Sequence, residues 1–474
     1  MGEDNNKNDE AQQQPSYGKK EGNDSVVETE AMEAHHSSTL ARPWLHAAYH
    51  SIISILGIPA VLALPLSFAY LSWAGGLVLF FFGTFTSFYS GQCLIQCQDV
   101  TKHKTYSSLG DGIIGDGWSM RWVRPFQGIV FITIMVSTVI AAGKLMVRMD
   151  IETDGSQNIS DSSWYAIAGL MLLIVSLAPD VDKSWTVSFF GSIATVVAVV
   201  MYLVGCGVSI GQVEDATYGR PVGDTRIEFV MGIFESFGIL AFAYGGHAVI
   251  PDVHASLNHQ DPKESTNAMM KAWWCAYFLI GPSYLVVLCL SYAAFGSTAS
   301  SFLVDDIAPY VSQNFMWAIY AFSLANFFAQ GALYNQAAFT YIEDLMIILG
   351  PKCCGCTISA EEHTDGLFAG EGRKHWHKKL AIRIIYVGVG TFIGAALPFF
   401  GDLAALSGAL GFTPCTFVYP FWIYNASSIG QQAPAWKRAL NWFLALIFTG
   451  LGICAAVGAV YNIVQNSSTF QFFS

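Results

Sequence analysis

Two apolar runs carry helix-breaking residues at their centres: Ser54-Ile55-Leu56-Gly57-Ile58-Pro59-Ala60, with Leu64-Pro65 beyond it, and Phe242-Ala243-Tyr244-Gly245-Gly246-His247. Pro removes a backbone donor and Gly lowers helix stability, so both runs are predicted to unwind locally. Unpaired N–H and C=O groups cost several kcal/mol in hydrocarbon and survive there only where they line a cavity. Freed backbone of this kind binds charge. The N–H groups of Gly57, Ile58 and Ala60, on either side of the turn at Pro59, open a half-helix whose dipole favours a carboxylate. Carbonyl oxygens of Ile53 to Ile55 and of Phe242 to Tyr244 suit an ammonium. Ser54 adds a hydroxyl that acts either way, and Tyr244 adds a ring wall or a cation–π contact. Gly245 and Gly246 make the second break. The chemistry expected of such a pair is the grip of a small zwitterion at mid-membrane depth.

Other polar residues stand out against the apolar background. His247 follows the Gly pair; it reads either as a proton carrier or as a structural histidine bonded to unwound backbone. Glu235 lies about a turn and a half inside the same run and is a second proton-coupling candidate. Asn326 and Gln330 share one helix face, with Asn335 five residues on, and suggest a wall of a pathway or interhelical hydrogen bonds. Thr133, Ser137 and Thr138 invite the same reading, although Ser and Thr often bond their own helix. Asp402 is expected first as a helix cap. Cys353, Cys354 and Cys356, with His363, His375 and His377, match no common zinc spacing and leave unmodified thiols, palmitoylation or a metal open. No phosphate-binding loop or catalytic triad is apparent, so no cofactor, no catalytic residue, no metal and no nucleic-acid partner is expected.

These residues must be positioned by membrane helices. Hydrophobic residues make up 53% of the 474 and charged residues only 12%, and apolar runs of about 20 residues, enough to span a bilayer, recur along the chain. Eleven spans are predicted, over 44–71, 74–98, 124–148, 163–179, 184–211, 229–256, 268–296, 314–349, 379–400, 403–425 and 437–465. Residues 1–41 differ: nine acidic residues against three lysines give that tail half of the chain's net charge of −12. It is too polar to bury a core and is expected to be a disordered acidic cytoplasmic tail, followed by a transporter domain over 42–474. With that tail inside, 19 of the 23 Lys and Arg fall on the inner side, as the positive-inside rule requires. An odd span count puts the C-terminus outside. The sequons at Asn158 and Asn466 fall on the outer side and that at Asn425 on the inner. The breaks sit in spans one and six, five helices apart, which suggests inverted repeats of spans 1–5 and 6–10.

Several stretches resemble the amino acid/auxin permease family. His50 to Gly57 running on through Leu64-Pro65-Leu66-Ser67-Phe68-Ala69-Tyr70 to Trp73 looks like its first helix. Ala243-Tyr244-Gly245-Gly246-His247 looks like its sixth. Leu397-Pro398-Phe399-Phe400-Gly401-Asp402 with Gly411-Phe412-Thr413-Pro414 looks like its tenth. Val222-Gly223-Asp224 and Met269-Met270-Lys271 are most similar to the plant GABA-transporter and lysine/histidine-transporter-like branches, while Gly245 to Val249 also resembles the auxin-carrier branch. The resemblance implies an all-α membrane protein with a five-plus-five inverted-repeat, LeuT-like fold. It also implies proton-coupled import of neutral amino acids or GABA, at the plasma membrane. Its Gly-Ile-Pro first break departs from the closely spaced glycines of many members. An auxin-type organic acid carrier and a non-transporting amino-acid sensor are the alternatives.

Overall fold

The computed structural model describes residues 43–101, 105–177, 185–214, 216–257, 261–353, 376–397 and 399–467. The expected tail and the Cys/His loop therefore lie outside the described residues, apart from Cys353 and His377. Among the described residues, helices fall within each of the eleven predicted ranges. The first span is split into α1 (Trp44–Ile55) and the opening arm of α2 (Ile58–Thr101). That arm ends at Ser72, whose φ of 55° breaks the helix and starts the second span, where the sequence placed the 71/74 boundary. Then come α3 (Val123–Asp154), α4 (Asp161–Ser176), α5 (Trp185–Ser209), α6 (Arg226–Ala243), α7 (Ile250–Ala255), α8 (Pro262–Phe295), α9 (Gln313–Cys353), α10 (Trp376–Ala396), α11 (Phe400–Ser407), α12 (Tyr419–Ala426) and α13 (Ala435–Ser467). Among the described residues, eight helical stretches are long and apolar enough to cross a membrane, two of which run through α6 and α7 (Arg226–Ala255) and through α11 and α12 (Phe400–Ala426). The rest of the predicted spans are short, polar on one face or joined to a neighbour across a kink.

Burial sorts the helices into an inner set and a rim. In α1, nine of twelve residues are buried, although a lone surface helix buries only a stripe. The apolar window of α3 is 78% buried and that of α10 only 28%. Apolar side chains on the rim, such as Phe190, Phe278 and Phe392, stand exposed, as lipid-facing residues do.

Small residues set the closest crossing. A Cβ on Gly408 would come 1.8 Å from the Gly238 carbonyl oxygen, and one on Gly238 would come 2.3 Å from that of Ala405. The sixth and tenth spans therefore touch backbone to backbone, the close approach that glycine permits in membrane bundles. Directly beyond, Gly408–Val418 adopts a π-helix around Pro414, a geometry that concentrates at functional sites. It carries Phe412 toward the second break.

Candidate substrate site

Both predicted breaks are present. Residues 56 and 57 leave helical geometry between α1 and α2, and Tyr244 to Gly246 do so between α6 and a 3-10 turn at His247–Val249. The breaks face each other: a Cβ on Gly246 would lie 2.4 Å from Ile55 Cγ1 and 3.5 Å from Ser54 Oγ.

Two tyrosines stitch them together. The Tyr334 hydroxyl of α9 donates to the Ser54 carbonyl at 2.9 Å and the Gly245 carbonyl at 3.2 Å. The Tyr284 hydroxyl of α8 donates to the Ile55 carbonyl at 2.5 Å and the Ala243 carbonyl at 3.2 Å. Each hydroxyl has one proton and serves two carbonyls. The four oxygens therefore retain acceptor capacity, in a place where an under-satisfied carbonyl is costly. An ammonium, with three N–H donors, is the group that would complete them.

The opposite charge has its counterpart at the head of α2. The Ile58 N–H is held by Asn326 Oδ1 at 3.0 Å, and the Asn326 amide donates in turn to Thr195 Oγ1 of α5 at 2.5 Å. Gly57 N–H turns back to the Ile55 carbonyl at 2.8 Å. A Cβ on Gly57 would sit 2.2 Å from the Gln330 amide, and Gln330 Oε1 is buried without a hydrogen-bond partner. Neutral side-chain amides thus occupy the positive half-helix end, where a carboxylate would bind.

The remaining walls are aromatic. Phe242 meets Phe412 edge to face at 5.6 Å, and the Phe412 ring lies over Gly245. The Tyr244 hydroxyl bonds Thr84 Oγ1 of α2 at 2.6 Å. Behind the Tyr244 ring lies an apolar cavity of about 30 Å³, lined by Gly83, Phe237, Leu240, Phe417 and Phe448. That is room for a water molecule and not for an amino acid, so this is a closed packing of the site.

The sequence-nominated residues divide. Ile55, Ile58, Gly57, Gly245, Gly246, Phe242, Tyr244, Asn326 and Gln330 converge on the breaks. Pro59 is buried in the first turn of α2. The Ser54 hydroxyl is turned to its own helix, onto the Ser51 carbonyl at 3.1 Å, so its backbone oxygen is the group presented. Thr138 likewise bonds the Ile134 carbonyl at 2.7 Å and offers α9 only a methyl, against Gly331. His247 is buried. Its Nε2 lies 3.0 Å from both the Ser87 carbonyl and Ser90 Oγ. Ser90 itself donates to that carbonyl, so Nε2–H is the donor and Nδ1 holds the lone pair, without a partner. Asp402 does not cap its helix: the N-cap is Phe399, with no side-chain cap, and Asp402 accepts from Asn466 of α13 instead. That bond also engages the amide of the Asn466 sequon. Tyr284, Tyr334, Thr195 and Phe412 went unread as site residues, because nothing local distinguishes them from other residues in apolar helices.

Geometry of this kind, two facing helix breaks with freed carbonyls on one side and a capped half-helix on the other, is that of a carrier of charged small molecules. The sequence profile of the family described as transmembrane amino acid transporter protein matches residues 42–465. The chain belongs to that family. It is 24% identical over 448 residues to GABA transporter 1 of Arabidopsis thaliana, covering 91% of this chain and 93% of that protein. To lysine histidine transporter-like 6 of the same plant it is 25% identical over 442 residues, covering 91% and 93%. Among solved structures, MhsT in complex with L-phenylalanine aligns with a TM-score of 0.53 at 10% identity, over 88% of this chain and 99% of that one. That similarity establishes the LeuT-like helical fold, and the homologues are transporters.

The loop between α8 and α9 covers one end of this transporter's bundle. Ser301 packs on Gly401, where a Cβ would lie 2.4 Å away, and Phe302 meets Phe400 at 5.6 Å. Lys144 of α3 lies 5.2 Å above the Phe302 ring, and Arg148 pairs with Asp305 at 2.8 Å. Burial pushes the Asp306 carboxyl in this loop up to about 7, against an opposing hydrogen bond from the Ser300 N–H. Its ordinary value is 3.8, so the closed loop binds more proton than the open one between those limits, and closure weakens as pH rises through that window and levels above it. Thiol labelling of Ser301→Cys, above the wild-type background and divided by the rate of a free thiol at each pH, should therefore speed up severalfold from pH 5 to 7 and then plateau. Asp306→Asn should flatten the profile.

Proposed function

We propose that this protein is a secondary active transporter that brings a neutral amino acid or GABA into the cell together with a proton. The single observation that carries the reading is the pair of tyrosine hydroxyls spanning both breaks, because it leaves four carbonyls sharing two hydroxyl protons and the Gly57 N–H beside a half-helix N-terminus. The substrate ammonium completes the carbonyls of Ser54, Ile55, Ala243 and Gly245. The substrate carboxylate takes the N–H groups at the head of α2 from Asn326. Phe412, Phe242 and Tyr244 pack the body of the substrate, and the neutral walls favour a side chain without charge. The printed names of the relatives, a GABA transporter and lysine histidine transporter-like proteins, support the amino-acid class.

Alternating access follows from the same contacts. Tyr284 and Tyr334 sit on α8 and α9 and hold the breaks closed; exchanging their hydroxyls for an ammonium frees one bundle to rock against the other. His247 serves as structure, since its Nε2 is committed to Ser87 and Ser90 and no acceptor meets Nδ1. Glu235 is then the coupling candidate. The excess of Lys and Arg on one side supports a cytoplasmic N-terminus, with the C-terminus outside and the plasma membrane as location.

The test is uptake into proteoliposomes with an imposed inward proton gradient, across a panel of GABA, neutral amino acids, lysine, histidine and an indole acid. Gradient-dependent uptake of GABA or a neutral amino acid bears the proposal out. Uptake of the indole acid alone assigns an auxin-type carrier, and binding without uptake of any member assigns a sensor.

A further inference from the structure

Two carboxyl groups lie together away from the helix breaks. Glu235 of α6 is 2% exposed and Asp402 of α11 is 7% exposed, and each falls within the other's electrostatic reach. Each has one amide donor from the last turns of α13. Asn462 Nδ2 donates to Glu235 Oε2 at 2.5 Å, and Asn466 Nδ2 donates to Asp402 Oδ2 at 2.6 Å. The other Glu235 oxygen, Oε1, is buried with no partner. The helices fit closely here, since a Cβ on Gly458 would lie 2.6 Å from the Glu235 nitrogen.

Two neighbouring buried carboxylates with one amide each cannot both be charged, because burial and their mutual repulsion both favour a proton on one of them. A proton on Glu235 gives it an O–H to donate to the Asp402 carboxylate and leaves Asp402 as the anion. The surrounding charges agree. Lys144 of α3 faces Asp402 and also feels Asp305, Arg148 and Asp161. Tyr70 of α2 feels Glu235 together with Asp224 and Glu228. One cation, Lys144, thus faces the pair among the described residues, which balances one carboxylate and not two.

We propose that Glu235 and Asp402 form a one-proton site, and that its occupancy controls the loop over 300–307. The link to the loop is Lys144, whose ammonium also lies over Phe302. Release breaks the Glu235 O–H bond, sends the proton to water and leaves two carboxylates beside Lys144. The ammonium is drawn toward them and off the Phe302 ring, and the loop loses a contact that holds it against α11. This site deepens the transport reading and rests on it for the meaning of the proton, but not for its existence.

Infrared difference spectroscopy against pH, on the full chain in liposomes, reads the proton directly. Beyond the contribution of Asp306, a protonated-carboxyl stretching band should be present at neutral pH and vanish on alkalinisation. Glu235→Gln should remove it, and Asp306→Asn should leave it. Asp402→Asn should move its loss to lower pH. Asn462→Leu, which removes the donor that favours the carboxylate, should move it about one pH unit higher. A band that Glu235→Gln leaves in place, or that neither Asp402→Asn nor Asn462→Leu shifts, overturns the site; these two also decide the matter should Glu235→Gln not fold. In proteoliposomes, the ratio of uptake with and without an inward proton gradient should fall to about one in Glu235→Gln, and an unchanged ratio overturns its role in coupling. If wild-type protein takes up no member of the panel while the band behaves as described, the transport reading fails and the proton site stands.

Discussion

Gly245→Ala should reduce uptake at least tenfold, and the loss should be recoverable from a second position. The new methyl would fall 2.0 Å from Phe412 Cδ1 and 2.3 Å from Cε1, distances at which something must move. The ring has nowhere open to go: Phe412 is fully buried and sits on the π-helical turn beside the Gly238–Gly408 crossing. Forcing an extra methyl into packed surroundings costs about 1–3 kcal/mol, and the strain falls on the break itself. There the displaced carbonyl of Gly245 would also part from the Tyr334 hydroxyl. Thermal stability of the purified variant and uptake in proteoliposomes are the measurements. Gly245→Ala with Phe412→Val, which removes the clashing ring atoms, should recover part of the uptake. Gly388→Ala is the control, because a Cβ there meets nothing within 4 Å and should change stability by no more than about 0.5 kcal/mol. Normal uptake by Gly245→Ala would mean that the second break does not form the site.

The breaks were legible in the sequence because Gly and Pro act locally. Gly57, Pro59, Gly245 and Gly246 weaken a helix wherever they stand in one, and two such weak points at the centres of apolar runs pointed to backbone that lines a cavity. Asn326 and Gln330 were legible for a related reason, as amides that an apolar span must satisfy. What completes the site was not. Tyr284 and Tyr334 are two of 20 tyrosines, in helices where aromatic residues are common, and only the folded chain brings their hydroxyls to the carbonyls. The local rules that nominated Ser54 and Thr138 concern donors and acceptors, yet both hydroxyls settle on their own helices. Asp402 followed the rule for a helix start until α13 delivered Asn466 to it. Its meeting with Glu235 depends on how α6, α11 and α13 pack, which no spacing along the chain records. The all-helical membrane class was readable from apolar runs, whereas the boundary at Ser72 is a kink between two abutting helices that length alone does not mark.

Removing the two stitching hydroxyls together should cost more function than stability. Tyr334→Phe strips the donor from Ser54 and Gly245, and Tyr284→Phe strips it from Ile55 and Ala243. Each leaves buried carbonyls under-satisfied, a penalty of about 1–3 kcal/mol. The Ile55 carbonyl retains the Gly57 N–H, so Tyr334→Phe is the costlier single change. The two residues tie the same pair of breaks, so the energies should not add, and a double-mutant cycle on unfolding should return a coupling of at least about 0.5 kcal/mol. Function should respond differently. The hydroxyls and a substrate ammonium compete for the same oxygens, so the closed, substrate-free packing depends on them while the loaded site does not. Saturating substrate should therefore restore much of the thermal stability of the double variant, as ligand binding to the folded state does, and do so more strongly than for wild type. Uptake should nevertheless fall at least tenfold, because the empty carrier must close before it can return. Equal stabilisation of both proteins by substrate would show that the carbonyls are not where the ammonium binds.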